Sequence, residues 1–175
     1  MSVTIRLATV ADAEEIRGIY NHEVLHTTAT FDLVPRSLSE QQEWLLERSG
    51  AFAAIVAVDE PSAPGVTEAQ RAGQVLGFGS LSPYKERAAY RTSVEDSVYV
   101  RRDRAGQGIG RLLLIALIDV ACSSGFHSVF ARIEASGEAS RRLHATCGFE
   151  LVGVERETGR KFNRWLDVAI MQKLL

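Results

Sequence analysis

The sequence VEDSVYVRRDRAGQGIGRLLLIAL, residues 94–117, decides the fold of this chain. Its first part is rich in valine and tyrosine, which predicts a strand near 93–100. An arginine-rich turn with glycine at positions 106, 108 and 110 follows, and then an aliphatic segment predicts a helix over 109–123. Glycines let consecutive backbone N–H groups converge, and a helix N-terminus adds unpaired donors and a positive dipole end. This unit therefore predicts a site for a phosphate or pyrophosphate.

The glycine spacing separates three kinds of phosphate site. A P-loop has Lys and then Ser or Thr after its last glycine, whereas Arg111 and Leu112 stand here. A dinucleotide-binding turn has the spacing G-x-G-x-x-G in the first βα unit, whereas this chain has G-x-G-x-G halfway along its length. Both of these sites are disfavoured, and the third candidate ligand is the pyrophosphate of an acyl-coenzyme A.

Patterns on either side of this unit predict the other elements. Thr9 with Asp12, and Ser37 with Glu40, have capping-box spacing, so we expect helices near 10–26 and from Ser37 to Gly50. A further helix is predicted over 138–147, and strands are predicted over 3–8, 51–60, 74–82, 128–134, 150–157 and 165–174. This order predicts an α/β or α+β fold with helices on both faces of a mixed sheet. We expect residues 1–175 to form one domain, with 61–73 as a mobile hairpin loop.

Composition narrows the class of protein. The chain has 175 residues, 46% of them hydrophobic, and a net charge of −2, which is typical of a globular protein and argues against a nucleic-acid binder. No apolar run reaches membrane-spanning length, and the first residues lack the pattern of a secretory signal. We therefore expect a cytoplasmic protein that binds neither nucleic acid nor membranes, with Cys122 and Cys147 as reduced, partly buried thiols.

Three ordered segments resemble the GCN5-related N-acetyltransferases (GNAT): IRLATVADAEEIRGIYNHEV, VEDSVYVRRDRAGQGIGRLLL and SGEASRRLHATCGFELVG. Residues 21–24, 85–90 and 93–100 more narrowly resemble the phosphinothricin and methionine sulfoximine/sulfone N-acetyltransferase group. The resemblance implies a mostly antiparallel central sheet, a homodimer, and transfer of acetyl from acetyl-CoA to the α-amine of such an amino-acid analogue. Two alternatives stay open: another amine as acceptor (a protein N-terminus, a polyamine or an antibiotic), or a non-catalytic acyl-CoA sensor.

The resemblance also implies which residues contact coenzyme A. They lie at the end of the strand, in the glycine turn and on the later helix: Val98, Tyr99, Val100, Arg104, Ala105, Gly106, Gln107, Gly108, Ile109, Gly110, Arg111, Ser140 and His144. The family usually has Arg or Gln in place of Ala105 and Asn in place of Gly137. Because backbone N–H groups hold most of a pyrophosphate, we expect binding to survive, with Arg104 or Arg102 supplying charge.

Two side chains are candidates for proton transfer. Acetyl transfer requires a neutral amine, a polarised thioester carbonyl and a proton for the departing thiolate. Glu95 matches the family's glutamate and is the candidate base; the alternative is a surface carboxylate paired with a nearby arginine. His144 shares a helical face with Ser140 and is either a general acid or a hydrogen-bonding contact. No second ligand cluster accompanies His144 and Cys147, so no metal site is predicted.

The acceptor site is predicted upstream of Glu95. Arg87 is the candidate carboxylate clamp, since its planar guanidinium fits a carboxylate in a bidentate pair. Phe31, Tyr84 and Tyr90 are expected to wall the pocket, and Lys85 to add positive charge.

Overall fold

Seven strands form one sheet in the computed structural model of the chain, which describes residues 2–60 and 73–175. In chain order they are β1 Ser2–Leu7, β2 Ile55–Glu60, β3 Gln74–Pro83, β4 Ser93–Val100, β5 Ser128–Glu134, β6 Glu150–Lys161 and β7 Arg164–Leu174. They lie side by side in the order β1-β2-β3-β4-β5-β7-β6, and β4–β5 is the parallel pair among antiparallel ones. Residues 61–72 of the predicted hairpin loop lie outside the described residues.

Within the described residues, four helices cover the two faces of the sheet: α1 Ala13–His26, α2 Leu38–Leu46, α3 Ile109–Ser123 and α4 Glu138–Thr146. Both predicted capping boxes are present: the backbone N–H of Thr9 donates to Asp12 (2.7 Å) and that of Ser37 to Glu40 (2.7 Å). The order of elements and the fold class are confirmed. None of the helices in the described part of the chain has the length and hydropathy of a transmembrane segment.

Some predicted boundaries are wrong. The second helix ends at Leu46 rather than at Gly50, whose positive φ (57°) starts a 3-10 turn instead. The Phe52 ring in that turn packs against the Phe126 ring, with centroids 5.9 Å apart. Because the turn takes up the start of the predicted strand, β2 begins at Ile55, four residues later than predicted. The last two strands are longer than predicted, because Phe162 and Asn163 adopt left-handed conformations (φ 49° and 60°) that suit a two-residue hairpin turn.

The α3 face of the sheet holds one core. The apolar spacing of α3 predicts that Leu112, Leu113, Ala116, Leu117 and Val120 face this core. In the structure Leu113, Leu114, Leu117 and Ala121 are buried, whereas Leu112 is 43% exposed. Glycine in β3 lets the helix approach: a Cβ at position 77 would lie 2.8 Å from the carbonyl oxygen of Tyr99 and 3.1 Å from Leu113. The expectation of a partly buried Cys122 is also wrong, since its side chain is exposed.

The opposite face holds a second core under α1 and α2. Ile16, Ile19, Tyr20 and Val24 form the buried stripe of α1 that the 3–4 spacing predicts. Strand alternation divides the sheet residues between the two faces, so that neighbouring β4 residues point to opposite cores. Val94 belongs to the α3 core, whereas Tyr99 packs against the α1 core.

Candidate active site

A cleft opens where β4 and β5 separate. Their parallel pairing spans Ser93–Glu95 and Ser128–Phe130, whereas β4 continues to Val100 and β5 to Glu134. The space between the diverging strands is about 490 Å³. It is lined by the ends of both strands, by residues 27–31 after α1, and by Ser140 and His144 of α4. Backbone groups on this side of β4 are therefore accessible to a ligand, in a cleft of the size that holds small molecules.

The glycine turn next to this cleft has the features of a phosphate site. Gly106 and Gly108 have φ of 77° and 82°, a region that glycine adopts without steric cost. Residues 105–108 are exposed, and the 15-residue helix α3 begins at Ile109 with its N-terminal donors beside the turn. A Cβ on Gly110 would lie 3.2 Å from Leu143, so glycine there lets α3 lie close to α4.

The departure from the family pattern at Gly137 has a local reason. Gly137 precedes α4, and its N–H donates to the carbonyl oxygen of Glu134 (2.8 Å). A Cβ at this position would lie 3.0 Å from the same oxygen and 3.4 Å from Ile133. The tight turn between β5 and α4 therefore favours glycine here.

The arginines around the turn are held by acidic groups. Arg102 donates to both carboxylate oxygens of the buried Glu23 on α1, with Nε 2.8 Å from Oε1. Arg101 pairs with Asp103 (2.8 Å), and Arg104 Nε lies 3.9 Å from the same carboxylate. The expectation that Arg102 or Arg104 supplies charge to coenzyme A stays a prediction.

Glu95 lies in the cleft and faces the α1 side of the sheet. Burial raises the pKa of the Glu95 carboxyl, the charge of Arg132 opposes this rise, and Asp96 and Glu155 add to it. Arg132 makes its own ion pair with Glu155 (2.6 Å). A half-buried carboxyl with a raised pKa suits a general base better than a surface carboxylate does.

His144 is buried on the α3 side of the cleft, where it meets a residue that the sequence analysis missed. Its Nε2 lies 3.0 Å from Asp96 Oδ2, and its Nδ1 lies 2.8 Å from the carbonyl oxygen of Ser140. Burial opposes protonation of the ring, but the hydrogen bond and charge of Asp96, with the Ser140 carbonyl, outweigh it and raise the pKa of His144. Strand alternation was the available signal, because Asp96 follows Glu95 and must point to the opposite face.

The predicted acceptor residues occupy two places. Phe31 lies on the cleft wall. Tyr84 stacks on Phe130 with ring centroids 4.0 Å apart, and Lys85 Nζ lies 4.8 Å from the Tyr84 ring. The Tyr90 ring packs edge-on against Tyr84, and Phe130 pairs in register with Glu95, so this aromatic cluster lies beside the candidate base.

Arg87 is not part of that cluster. It is exposed, it precedes the 3-10 turn Ala88–Tyr90, and it is not among the described residues that line the cleft. Its role as a carboxylate clamp stays a prediction. Several polar residues that do line the cleft were missed: Thr27, Thr28, Thr30, Arg132 and Glu134.

Residues 5–170 match the family model described as acetyltransferase (GNAT) domain. The chain belongs to the GNAT acetyltransferase family. It is 39% identical over 175 residues to the phosphinothricin N-acetyltransferase of Streptomyces coelicolor, a match that covers 99% of this chain and 96% of that protein. It is 40% identical over 173 residues to the L-methionine sulfoximine/L-methionine sulfone acetyltransferase of Pseudomonas paraeruginosa, with 98% and 94% covered.

A solved structure gives the same result for the fold. The phosphinothricin acetyltransferase of Sinorhizobium meliloti, in complex with AcCoA, superposes with a TM-score of 0.88 at 36% identity and covers 100% of this chain and 89% of its own. The predicted family, fold and cofactor are confirmed. This GNAT protein is an acetyl-CoA-dependent N-acetyltransferase.

Proposed function

We propose that this GNAT protein acetylates the α-amine of a small amino-acid analogue: phosphinothricin, methionine sulfoximine or methionine sulfone. The observation that carries the proposal is the position of Glu95, which lies in one cleft beside the phosphate-type turn and pairs in register with Phe130 of the aromatic cluster. The printed activities of the two curated relatives support the same class of acceptor.

The residues of the cleft divide the chemistry between its two walls. Bound acetyl-CoA supplies an activated acetyl thioester. Glu95 takes a proton from the acceptor's ammonium group, directly or through a water molecule. Beyond Glu95, the cleft side of β4 has no strand partner in the described part of the chain, so its backbone N–H groups are available to an oxygen in the cleft. His144 holds a proton on the opposite wall, where a leaving thiolate needs one.

Attack by the amine is direct in this proposal. A covalent route requires a nucleophile in the cleft, such as a cysteine thiolate. Cys122 is exposed on α3 and Cys147 follows α4, and neither is among the described residues that line the cleft.

Thiol release from acetyl-CoA tests the proposal. We expect kcat/KM to be highest with phosphinothricin, methionine sulfoximine or methionine sulfone, and mass spectrometry to locate one acetyl group on the α-amine. Spermidine, an aminoglycoside and a peptide with a free N-terminus are the competing acceptors. Release with one of these alone would overturn the assignment, and coenzyme A binding without release to any acceptor would favour a sensor.

We also propose a homodimer and a cytoplasmic location. The edge strand β6 and its neighbour β7 expose large apolar side chains: Leu151 (51%), Val152 (58%), Val154 (48%) and Trp165 (61%). An exposed apolar edge of this kind is normally covered, and a second copy of the chain covers it symmetrically. Light scattering during gel filtration measures the mass directly, and a monomer would contradict the dimer. The exposed free thiol of Cys122 supports a reducing compartment.

A further inference from the structure

Asp96 and His144 form a buried pair in the wall of the cleft. Their exposures are 6% and 4%, and they come from different elements, β4 and α4. The Phe149 ring packs edge-on against the imidazole, with centroids 5.0 Å apart. The ring is thus held by packing on one side and by two hydrogen bonds, with little freedom to rotate.

Both ring nitrogens of His144 face oxygen acceptors. A neutral imidazole has one N–H and one lone pair, so it satisfies one of the two contacts and directs a lone pair at the other oxygen. The Ser140 carbonyl oxygen, 2.8 Å from Nδ1, can only accept a hydrogen bond. An ionised Asp96 carboxylate, 3.0 Å from Nε2, can likewise only accept one. The doubly protonated ring is the state that satisfies both contacts.

The other charged groups of the cleft either face away from His144 or have partners of their own. Glu95 is on β4 but faces the opposite side of the sheet. From β5, Glu134 accepts from the Thr28 hydroxyl (2.9 Å) and Arg132 pairs with Glu155 (2.6 Å). After β4, Arg102 pairs with Glu23. Asp96 is therefore the carboxylate that acts directly on the imidazole.

We infer that Asp96 is a positioning residue for His144: it keeps the imidazole protonated on both nitrogens and fixes the ring in the cleft wall. This inference rests on the proposed acid role of His144 in acetyl transfer. The raised pKa of His144 agrees with the geometry. Asp96 Oδ1 is buried without a hydrogen-bond partner among the described residues, and Asp96 lines the cleft.

Nitrogen-15 NMR of the free enzyme tests the protonation state without any turnover. The chain has four histidines, and His144→Gln identifies the signals of His144 by their loss. At neutral pH we expect both ring nitrogens of His144 in the wild type to have the nitrogen-15 chemical shifts of protonated nitrogens. An unprotonated Nε2 in the wild type would overturn the inference.

Asp96→Asn is the decisive variant and Asp119→Asn, an exposed aspartate on α3, is its control. The Asn side chain can donate a hydrogen bond to Nε2, so we expect Nε2 to be unprotonated in this variant. We expect the titration midpoint of His144 to fall by about one pH unit, which lowers the protonated fraction of the ring about tenfold at alkaline pH. The control should titrate like the wild type. An unchanged midpoint in Asp96→Asn would contradict the inference.

Kinetics then separate a positioning role from a merely structural one. In Asp96→Asn we expect kcat to fall about tenfold above neutral pH, with the alkaline limb of its pH profile moved by the same amount as the NMR midpoint. A uniform loss of kcat with an unmoved limb would contradict the inference. If no acceptor is acetylated at all, the proposed function is wrong. The NMR measurement still tests the effect of Asp96 on His144, because it does not depend on turnover.

Discussion

The two walls of the cleft meet at β4, but they are assembled differently. Most of the predicted cofactor wall comes from one continuous segment, since β4, the glycine turn and the start of α3 all lie within residues 93–123. The acceptor wall comes from distant segments: Lys161 of β6 donates to the carbonyl oxygen of Thr30 (2.8 Å), and Phe31 lies over Gly159. We therefore expect cofactor recognition to depend on local backbone, and acceptor recognition to depend on side chains brought together by the fold.

This difference teaches where specificity can change. We expect a substitution on the acceptor wall to change which amine fits, while the glycine turn keeps its conformation. Lys161 illustrates the point: it is 4% exposed, and its ammonium group ties the segment after α1 to the β6–β7 hairpin. Variants on the two walls should therefore separate coenzyme A affinity from acceptor affinity.

The largest expected effect is on the base that both walls share. Glu95→Gln keeps the shape of the side chain but cannot take a proton, so we expect kcat to fall about 10²–10⁴-fold. Because burial raises the pKa of Glu95, the acid limb of the wild-type kcat/KM profile should lie above the pH of an ordinary glutamate and disappear in the variant. Initial rates of thiol release measure both kcat and the pH profile of kcat/KM. Calorimetry should show that the variant binds coenzyme A as the wild type does. Full turnover by the variant at neutral pH would remove Glu95 from the base role.

The next effect is on the cofactor wall alone. Gly108→Ala forces an alanine into φ 82°, which costs about 1–2 kcal/mol, so we expect the dissociation constant of coenzyme A to rise roughly 5–30-fold. The KM of the acceptor should stay within about twofold. Gly18→Ala is the matched control, because no described atom outside its own helix lies within 4 Å of a Cβ there. Equal losses of affinity for coenzyme A and for the acceptor would mean that the two walls do not bind their ligands independently.

A glycine on the acceptor wall should give the opposite pattern. In Gly159→Ala, the new Cβ overlaps the Phe31 ring, which is 38% exposed and can move aside. We expect the acceptor KM to change about fivefold, because overpacking of this kind costs about 1 kcal/mol. Coenzyme A affinity should stay near the wild-type value. Steady-state kinetics with each ligand varied in turn decide the outcome, and a change in coenzyme A affinity would count against the division.

The smallest effect concerns stability. Because the folded state raises the pKa of His144, the Asp96–His144 contact contributes fully below the ordinary histidine pKa of about 6.5, and this contribution is lost as pH rises through the raised pKa. Each tenfold gain in the proton affinity of the ring on folding corresponds to roughly 1.4 kcal/mol of stability. Urea unfolding of the wild type and Asp96→Asn at several pH values measures the contribution. The difference between the two proteins should shrink with rising pH, and a constant difference would contradict the assignment.

Most residues of the predicted cofactor wall follow from sequence patterns and from the resemblance. The glycine turn, the start of α3 and the pair Ser140 and His144 were identified from spacing and resemblance, and both capping boxes are present. Sequence reasoning missed Asp96, although alternation along β4 places that carboxylate opposite Glu95. It also set Leu112 in the core, where the helix instead turns Leu114 inward.

The sequence by itself determined the fold class and predicted the cofactor site, because capping, alternation and glycine conformations act over a few neighbouring residues. Only the tertiary structure decided what surrounds the acceptor and the proton-carrying groups. The contacts of Phe31 with Gly159, of Tyr84 with Phe130 and of Asp96 with His144 join residues 46 or more positions apart. No local pattern encodes such contacts, since they follow from strand order and from the point at which β4 and β5 diverge.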